Sequence, residues 1–279
     1  MSQELVKIKR RIKSVSGALK VTSAMKLVSA VKLKRWKSKM IANKEYCNHL
    51  EEVVSELFNY ISEDSSFYQA NSKSNKKLFI IVSSTLGLCG SYNLNIFKLA
   101  DVSIKENDDA IILGNKGIVH YSGSKFTQLP GYESYTSVDD SSLVNSISSY
   151  ALNEFKKGTY KEIHLIYSQY KNSLVFMAKD SLILPLTKIE NSNTGYGPLL
   201  EPNKDVLIDT LVPIYIKTTV FSRLLESEVC EQASRNNAME NATNNANEIL
   251  DSLQLEFNKA RQASITQEIT EIVGASNAR

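Results

Sequence analysis

From Ile214 to Val273 the chain contains neither glycine nor proline. One helix is the expectation over Val206–Val273, interrupted early by Pro213 and by nothing after it. At about 1.5 Å per residue, sixty helical residues reach roughly 90 Å, far beyond the ~11–12-residue helix of an ordinary globular domain. Such a helix needs a partner along its length, because propensity alone does not hold it in water. The other long helical stretch lies at the opposite end of the chain, Leu5 to about Leu57. The reading is an α/β protein in which the N- and C-terminal helices form a long antiparallel coiled coil and a Rossmann-like α/β domain is inserted between them. The boundaries are residues 1–60 for the first helix, 75–190 for the α/β domain and 206–279 for the last helix.

The seams support the pairing. Ser2 is placed to cap the first helix, with Glu4 in its first turn. Leu5, Ile8, Ile12, Val15 and Leu19 then step 3, 4, 3, 4, the spacing of a heptad seam. Gly17 falls inside it, either for close approach of a partner or with no packing role. Val21, Met25 and Val28 form a second stripe on a shifted face. Near the other end, Met239, Ala242, Ala246, Ile249 and Leu253 repeat 3, 4, 3, 4, followed by Phe257 and Ala260. The flanks there are rich in Asn, which suits the surface of a rod.

Charge is unevenly distributed. The whole chain is only +3. Residues 1–44 carry thirteen Lys and Arg against the single acid Glu4, a net +12, whereas residues 206–279 are net −4 and the middle −5. So basic a helix has too few acids of its own at i,i+4 to balance it, and points to an acidic partner surface.

Between the helices the period changes. Residues 62–76 are polar and read as a linker. Lys77–Ser84 is a buried strand, followed by the turn Gly87-Leu88-Cys89-Gly90 and a helix from Ser91 to about Lys105. Ala110–Gly114 is a second strand, with a short helix to Tyr121. Tyr121–Asp140 is turn or short strand, and Ser141–Lys157 is helical. Glu162–Tyr170 and Leu174–Leu184 are two further strands. Strands alternating with helices predict a mostly parallel sheet with an antiparallel edge. Residues 187–204, with Gly195, Gly197, Pro198 and Pro202, are a loop.

No catalytic constellation, cofactor motif or metal set is found in the sequence. The turn at Gly87–Gly90 follows a strand but matches neither phosphate-loop nor dinucleotide spacing, so a backbone turn needing positive φ is the better reading. His49, His120 and His164 lie in separate elements without ligand spacing. Cys47, Cys89 and Cys230 are odd in number, and no secretory signal pattern opens the chain, so a reducing compartment is expected. No apolar run approaches the ~18–20 residues of a membrane span.

Two stretches carry a resemblance. The segment Phe257–Val273 (FNKARQASITQEITEIV) closely resembles the C-terminal signature of the γ-subunit family of F-type ATP synthases. Ile8-Lys9-Arg10-Arg11-Ile12 and Val21–Leu33 resemble the N-terminal helix of that family, and Gly87–Gly90 with Asn93 its pattern after the first central strand. The resemblance runs the length of the chain, in order. It implies a non-catalytic central-stalk subunit that couples ion-driven rotation of the c ring to ATP synthesis or hydrolysis in the catalytic ring. The implied partners are the α and β subunits of the catalytic hexamer, the ε subunit and the c-subunit ring. The membrane is touched only through the c ring, from the cytoplasmic side of a cell membrane. Residue by residue, it places Met25 and Lys26 at acidic loops of the catalytic subunits, and Arg261, Gln262, Thr266, Gln267 and Glu268 in contacts near the end of the shaft. It places Ile265, Ile269, Ile272 and Val273 in an apolar sleeve, and Glu201 at the c ring. The family's Asp-Arg before the Gly-Leu-Cys-Gly turn is Thr85-Leu86 here, and Leu200 stands where some relatives have Tyr. The competing reading is a coiled-coil adaptor or nucleic-acid-binding protein using the basic helix. Trp36 is the only aromatic there before Tyr46, which leaves little for base stacking, so no nucleic acid is expected.

Overall fold

The computed structural model describes residues 3–58, 67, 70, 74–186, 201 and 204–277. Their elements are α1 (Gln3–Phe58), β1 (Lys77–Val82), α2 (Tyr92–Ser103), β2 (Asp109–Leu113), α3 (Asn115–His120), β3 (Thr127–Gln128), α4 (Ser141–Lys157), β4 (Glu162–Tyr170), β5 (Phe176–Leu184) and α5 (Lys204–Asn277). Ser2, Leu200, Pro202 and nearly all of the predicted linker and second loop lie outside the described residues. The chain divides into two compact units, residues 1–30 with 235–279, and residues 31–234.

In the larger unit the strand order is β3-β2-β1-β4-β5. β1 lies parallel to β2 and β4, β2 parallel to β3, and only the edge strand β5 runs antiparallel, against β4. β1 and β2 are apolar because both faces are covered. Leu78, Ile80 and Val82 point into one layer with Ile147 and Ala151 of α4, and with Trp36, Val212 and Leu225 of the long helices. Phe79 and Ile81 point into the other, with Tyr92, Ile96 and Ala100 of α2. α4 is capped at both ends. Asp140 accepts from the Leu143 N–H at 3.1 Å, and Gly158 closes the helix at φ 84°.

In the smaller unit α1 and α5 run antiparallel. The Lys26 ammonium is 2.7 Å from Glu240 Oε1, and the Thr243 hydroxyl donates to Thr22 Oγ1 at 3.0 Å, so the partners rise along one helix as they fall along the other. Followed down the coil, this register sets Ile8 opposite Phe257 and Leu5 opposite Ala260. Leu5 and Ile8 are correspondingly buried.

Four readings are changed or sharpened. Pro213 does not break α5, which is continuous through it. Ile208, Val212 and Ile216 are buried around it, and that packing outweighs the missing N–H. The stripe Val21, Met25, Val28, read on a shifted face, lies off the seam and largely outward. Val21 and Val28 are exposed, and the seam keeps its step through Thr22, Lys26 and Ser29. On α5 the seam passes through Thr243 and Leu250, leaving Ile249 47% exposed. Gly17 permits no close approach, since a Cβ there would meet nothing within 4 Å.

Candidate functional site

The residues singled out in the sequence fall on three surfaces. The first is the free end of α5. Its seam ends at Ser264, beyond which every residue to Ala275 is exposed. Ile265, Ile269, Ile272 and Val273 are 47, 56, 69 and 52% exposed. At 3.6 residues per turn they share one stripe, turned about a third of a turn from the seam. The stripe is therefore not a continuation of the coil but a separate apolar face with no cover within the described chain. Arg261 and Gln262 stand where it begins, both exposed. Its polar flank is ordered locally. The Thr266 hydroxyl donates to Gln262 O at 2.9 Å, Gln267 Nε2 to Glu271 Oε1 at 3.0 Å and the Ser264 hydroxyl to Glu268 Oε1 at 3.5 Å.

The second surface is the middle of α1. Met25 is half-buried beside the seam, and Lys26 is engaged with Glu240 inside the coil rather than free. Fully outward instead are Val21, Leu27 and Val28, at 57, 69 and 56% exposure. Lys13 and Lys20 are exposed on the same helix. Met25 and Lys26 are thus less exposed than their neighbours Val21, Leu27 and Val28. Glu201, the third site, is exposed.

The turn after β1 is closed on itself. Leu88 and Gly90 both adopt positive φ, 61° and 57°, as the turn reading requires. Asn93 Oδ1 accepts from the Ser84 N–H at 3.0 Å, and its Nδ2 donates to Ser84 Oγ at 2.7 Å and Cys89 Sγ at 3.3 Å. Thr85, in place of the family's Asp, donates to the Tyr135 carbonyl at 3.5 Å, and Leu86 is 60% exposed. The Asn93 side chain thus ties the turn to the end of β1.

One polar network is not visible as a motif. His164 on β4 lies between Asp180 Oδ1, 2.8 Å from Nδ1, and Glu162 Oε2, 3.0 Å from Nε2. Phe79 stacks on its ring at a centroid distance of 5.0 Å, and Lys77 pairs with Glu162 at 2.5 Å. Burial would lower the His164 pKa, but the two carboxylates outweigh burial and raise it above the usual imidazole value. Its sequence signal is the i,i+2 spacing of Glu162 and His164, which puts both on one face of a strand. Among the described residues no group of three or more His, Cys, Asp or Glu is placed to hold a metal ion, and no helix is long and apolar enough to cross a membrane.

Comparison with known proteins gives one answer. The family model described as ATP synthase matches residues 4–278. The chain is 36% identical to the ATP synthase gamma chain of Mycoplasma mobile, over 98% of each chain. It is also 36% identical to that of Clostridium botulinum, over 100% of this chain and 99% of the relative. Among solved structures, a chain of the Euglena gracilis mitochondrial ATP synthase rotor superposes with a TM-score of 0.66 at 14% identity, covering 94% of this chain and 98% of that one. A chain of the Tetrahymena thermophila central stalk and c-ring structure gives 0.58 at 22%, over 80% and 99%.

Proposed function

The chain belongs to the γ-chain family of ATP synthase, and from that premise we propose that it is the non-catalytic rotor of an F-type complex, turning inside a catalytic ring. The bare end of α5 is the observation that carries the reading. A helix whose last turns have lost their coil partner, yet keep an ordered apolar stripe, is built to be surrounded by other chains. Ile265, Ile269, Ile272 and Val273 run in an apolar sleeve lined by the α and β subunits. Arg261 and Gln262, with Thr266, Gln267 and Glu268, make the hydrogen bonds that sense which catalytic subunit faces the shaft. A sleeve contact carried by apolar surface has no fixed angular register, which suits a part that must turn.

On α1 the outward face around Met25, with Val21, Leu27 and Val28 among lysines and arginines, meets acidic loops of the catalytic subunits. Long-range attraction between opposite charges is non-directional, so it serves each subunit in turn. Glu201, with the ε subunit nearby, contacts the c ring at the foot. The chain itself is peripheral, on the cytoplasmic side of a cell membrane, held there through the c ring. The Tetrahymena thermophila structure, a central stalk with its c ring, supports this arrangement.

The test is to isolate the complex through a tag on this chain and assay ATPase. The expected result is two larger subunits in excess of this chain, ATP hydrolysis by the complex, and a loss of about tenfold or more in coupled activity in an Arg261→Ala, Gln262→Ala double variant, the size set by removing two charged or buried hydrogen bonds. Recovery of the chain with nucleic acid and without ATPase would overturn the proposal.

A further inference from the structure

An open, doubly wound sheet binds its ligand outside the carboxyl ends of the strands, where the strand order reverses. In the order β3-β2-β1-β4-β5 that point lies between β1 and β4. β1 stops at Val82 and its chain turns away, and the last β1 partner on β4 is Ile166. Beyond it β4 continues to Tyr170, paired on its other side with β5. The ladder on the β1 side of β4 is therefore left open at Ser168 and Tyr170.

Side chains of α5 complete it. Ser227 Oγ accepts from the Ser168 N–H at 3.2 Å, Cys230 Sγ donates to the Ser168 carbonyl at 3.3 Å, and Glu226 Oε1 accepts from the Tyr170 N–H at 2.9 Å. Ser227 also bonds the Tyr92 hydroxyl at 2.8 Å, at the start of α2, and the Ser234 hydroxyl donates to the Cys89 carbonyl at 2.5 Å, in the turn after β1. Ser227, Cys230 and Ser234 step 3 and 4 and share one face of the helix. Ser227 and Cys230 are fully buried, Tyr92 and Ser168 nearly so. The Ser168 N–H and carbonyl and the Tyr170 N–H, left open by β1, are thus satisfied by this chain's own helix.

We infer that residues Glu226–Ser234 of α5 are the permanent occupant of the crevice and form the joint through which the α/β layer and this part of α5 turn as one body. The inference deepens the rotor reading and rests on it for the word turn, while the occupancy of the crevice stands apart from it. Three side chains bonding the end of β4 and a fourth bonding the turn after β1, on the two sides of the switch point, resist twisting better than an apolar contact, which permits sliding.

The experiment uses the whole chain, alone and in its ATPase complex, with a Glu226→Ala, Ser227→Ala double variant and Glu226→Gln as the conservative control that still accepts from Tyr170. In hydrogen exchange of the isolated chain, the amides of Ser168 and Tyr170 exchange on the order of tenfold faster in the double variant, the scale of one unmade buried hydrogen bond. In the complex, ATP hydrolysis persists but ions pumped per ATP fall, and Glu226→Gln restores most of both readouts. Unchanged exchange at Ser168 and Tyr170 would refute the occupancy. Faster exchange with an unchanged ratio of pumping to hydrolysis would refute the joint. Should the double variant fail to fold, the single Glu226→Ala variant, truncating a half-buried side chain, is read for the same two quantities. A wild-type chain that joins no ATPase contradicts the rotor reading, and the exchange result still decides the occupancy.

Discussion

α5 is one helix with three kinds of surroundings. In the larger unit, residues 227–234 are buried one after another, all round the helix, against both layers of the sheet. From Met239 to Ser264, in the smaller unit, burial recurs only every third or fourth residue. From Ile265 onward there is none. The same backbone serves as a core element, as half of a two-helix seam and as a bare surface. Composition alone does not separate these uses. The buried segment contains Glu228, Glu231 and Gln232, while the bare one contains three isoleucines and a valine. What distinguishes them is whether polar groups have partners within the chain, as Ser227 and Cys230 do, or apolar groups lack them, as Ile269 and Ile272 do.

The sharpest way to break this contrast is in the larger unit, where the backbone itself is fitted closely. Gly114 sits at φ 92°, and a Cβ there would fall 2.2 Å from the Ser83 carbonyl oxygen. Gly114→Ala is expected to cost on the order of 3 kcal/mol, from strain at positive φ and displacement of β1. Urea denaturation measures it. A loss under about 0.5 kcal/mol would mean the unit is loosely fitted after all. Gly17→Ala in the coil is the matched control, expected to be neutral or stabilising because nothing crowds the site.

A smaller effect follows from His164. Because its folded pKa lies above the unfolded value of 6.5, the protonated ring stabilises the fold fully below that value. The contribution is lost as pH rises through the folded pKa. Above pH 6.5 the wild type should therefore lose stability with rising pH by an increment that His164→Gln lacks. Equal pH profiles for the two proteins would show that the clamp between Asp180 and Glu162 adds nothing.

The smallest effect belongs to the coil. The Lys26–Glu240 pair is half-exposed on both sides, and a double-mutant cycle should return only about 0.5 kcal/mol, shrinking further in salt. A coupling several times larger would make it a specificity lock rather than a marker of register.

These surfaces were unequally legible in the sequence. Strand order could not be read, and β3 was legible only as turn or short strand, but the other strands and the helices of the α/β layer could be read, because short apolar or alternating runs give way to period-3.6 patterns between Lys77 and Leu184. Both seams were found at their apolar positions, Leu5–Leu19 on α1 and Met239, Ala246 and Leu253–Ala260 on α5. They were lost in the middle, because Thr22, Lys26 and Thr243 are polar and are satisfied only by one another across the pair. A rule that looks for apolar side chains slides there to Val21 and Ile249, which face outward. The joint at Glu226–Ser234 gave no signal, since Ser, Cys and Glu in a helix are ordinary until the strand ends they bond are known. The partner contacts proposed at the end of α5 rest on resemblance. Periodicity marks Ile265, Ile269 and Ile272 as a stripe but is silent on what covers it.

The most direct test of the account sets Leu253→Ala beside Ile269→Ala. Leu253 is 4% exposed in the seam and Ile269 56% exposed on the bare end. In the isolated chain, Leu253→Ala should lose about 2 kcal/mol or more and Ile269→Ala less than about 0.5 kcal/mol. In the assembled complex, Ile269→Ala should nevertheless impair coupled ATP hydrolysis. If Ile269→Ala instead destabilises the isolated chain as much as Leu253→Ala and leaves the complex unaffected, the free end of α5 belongs to the fold rather than to a partner, and the account is wrong at its centre.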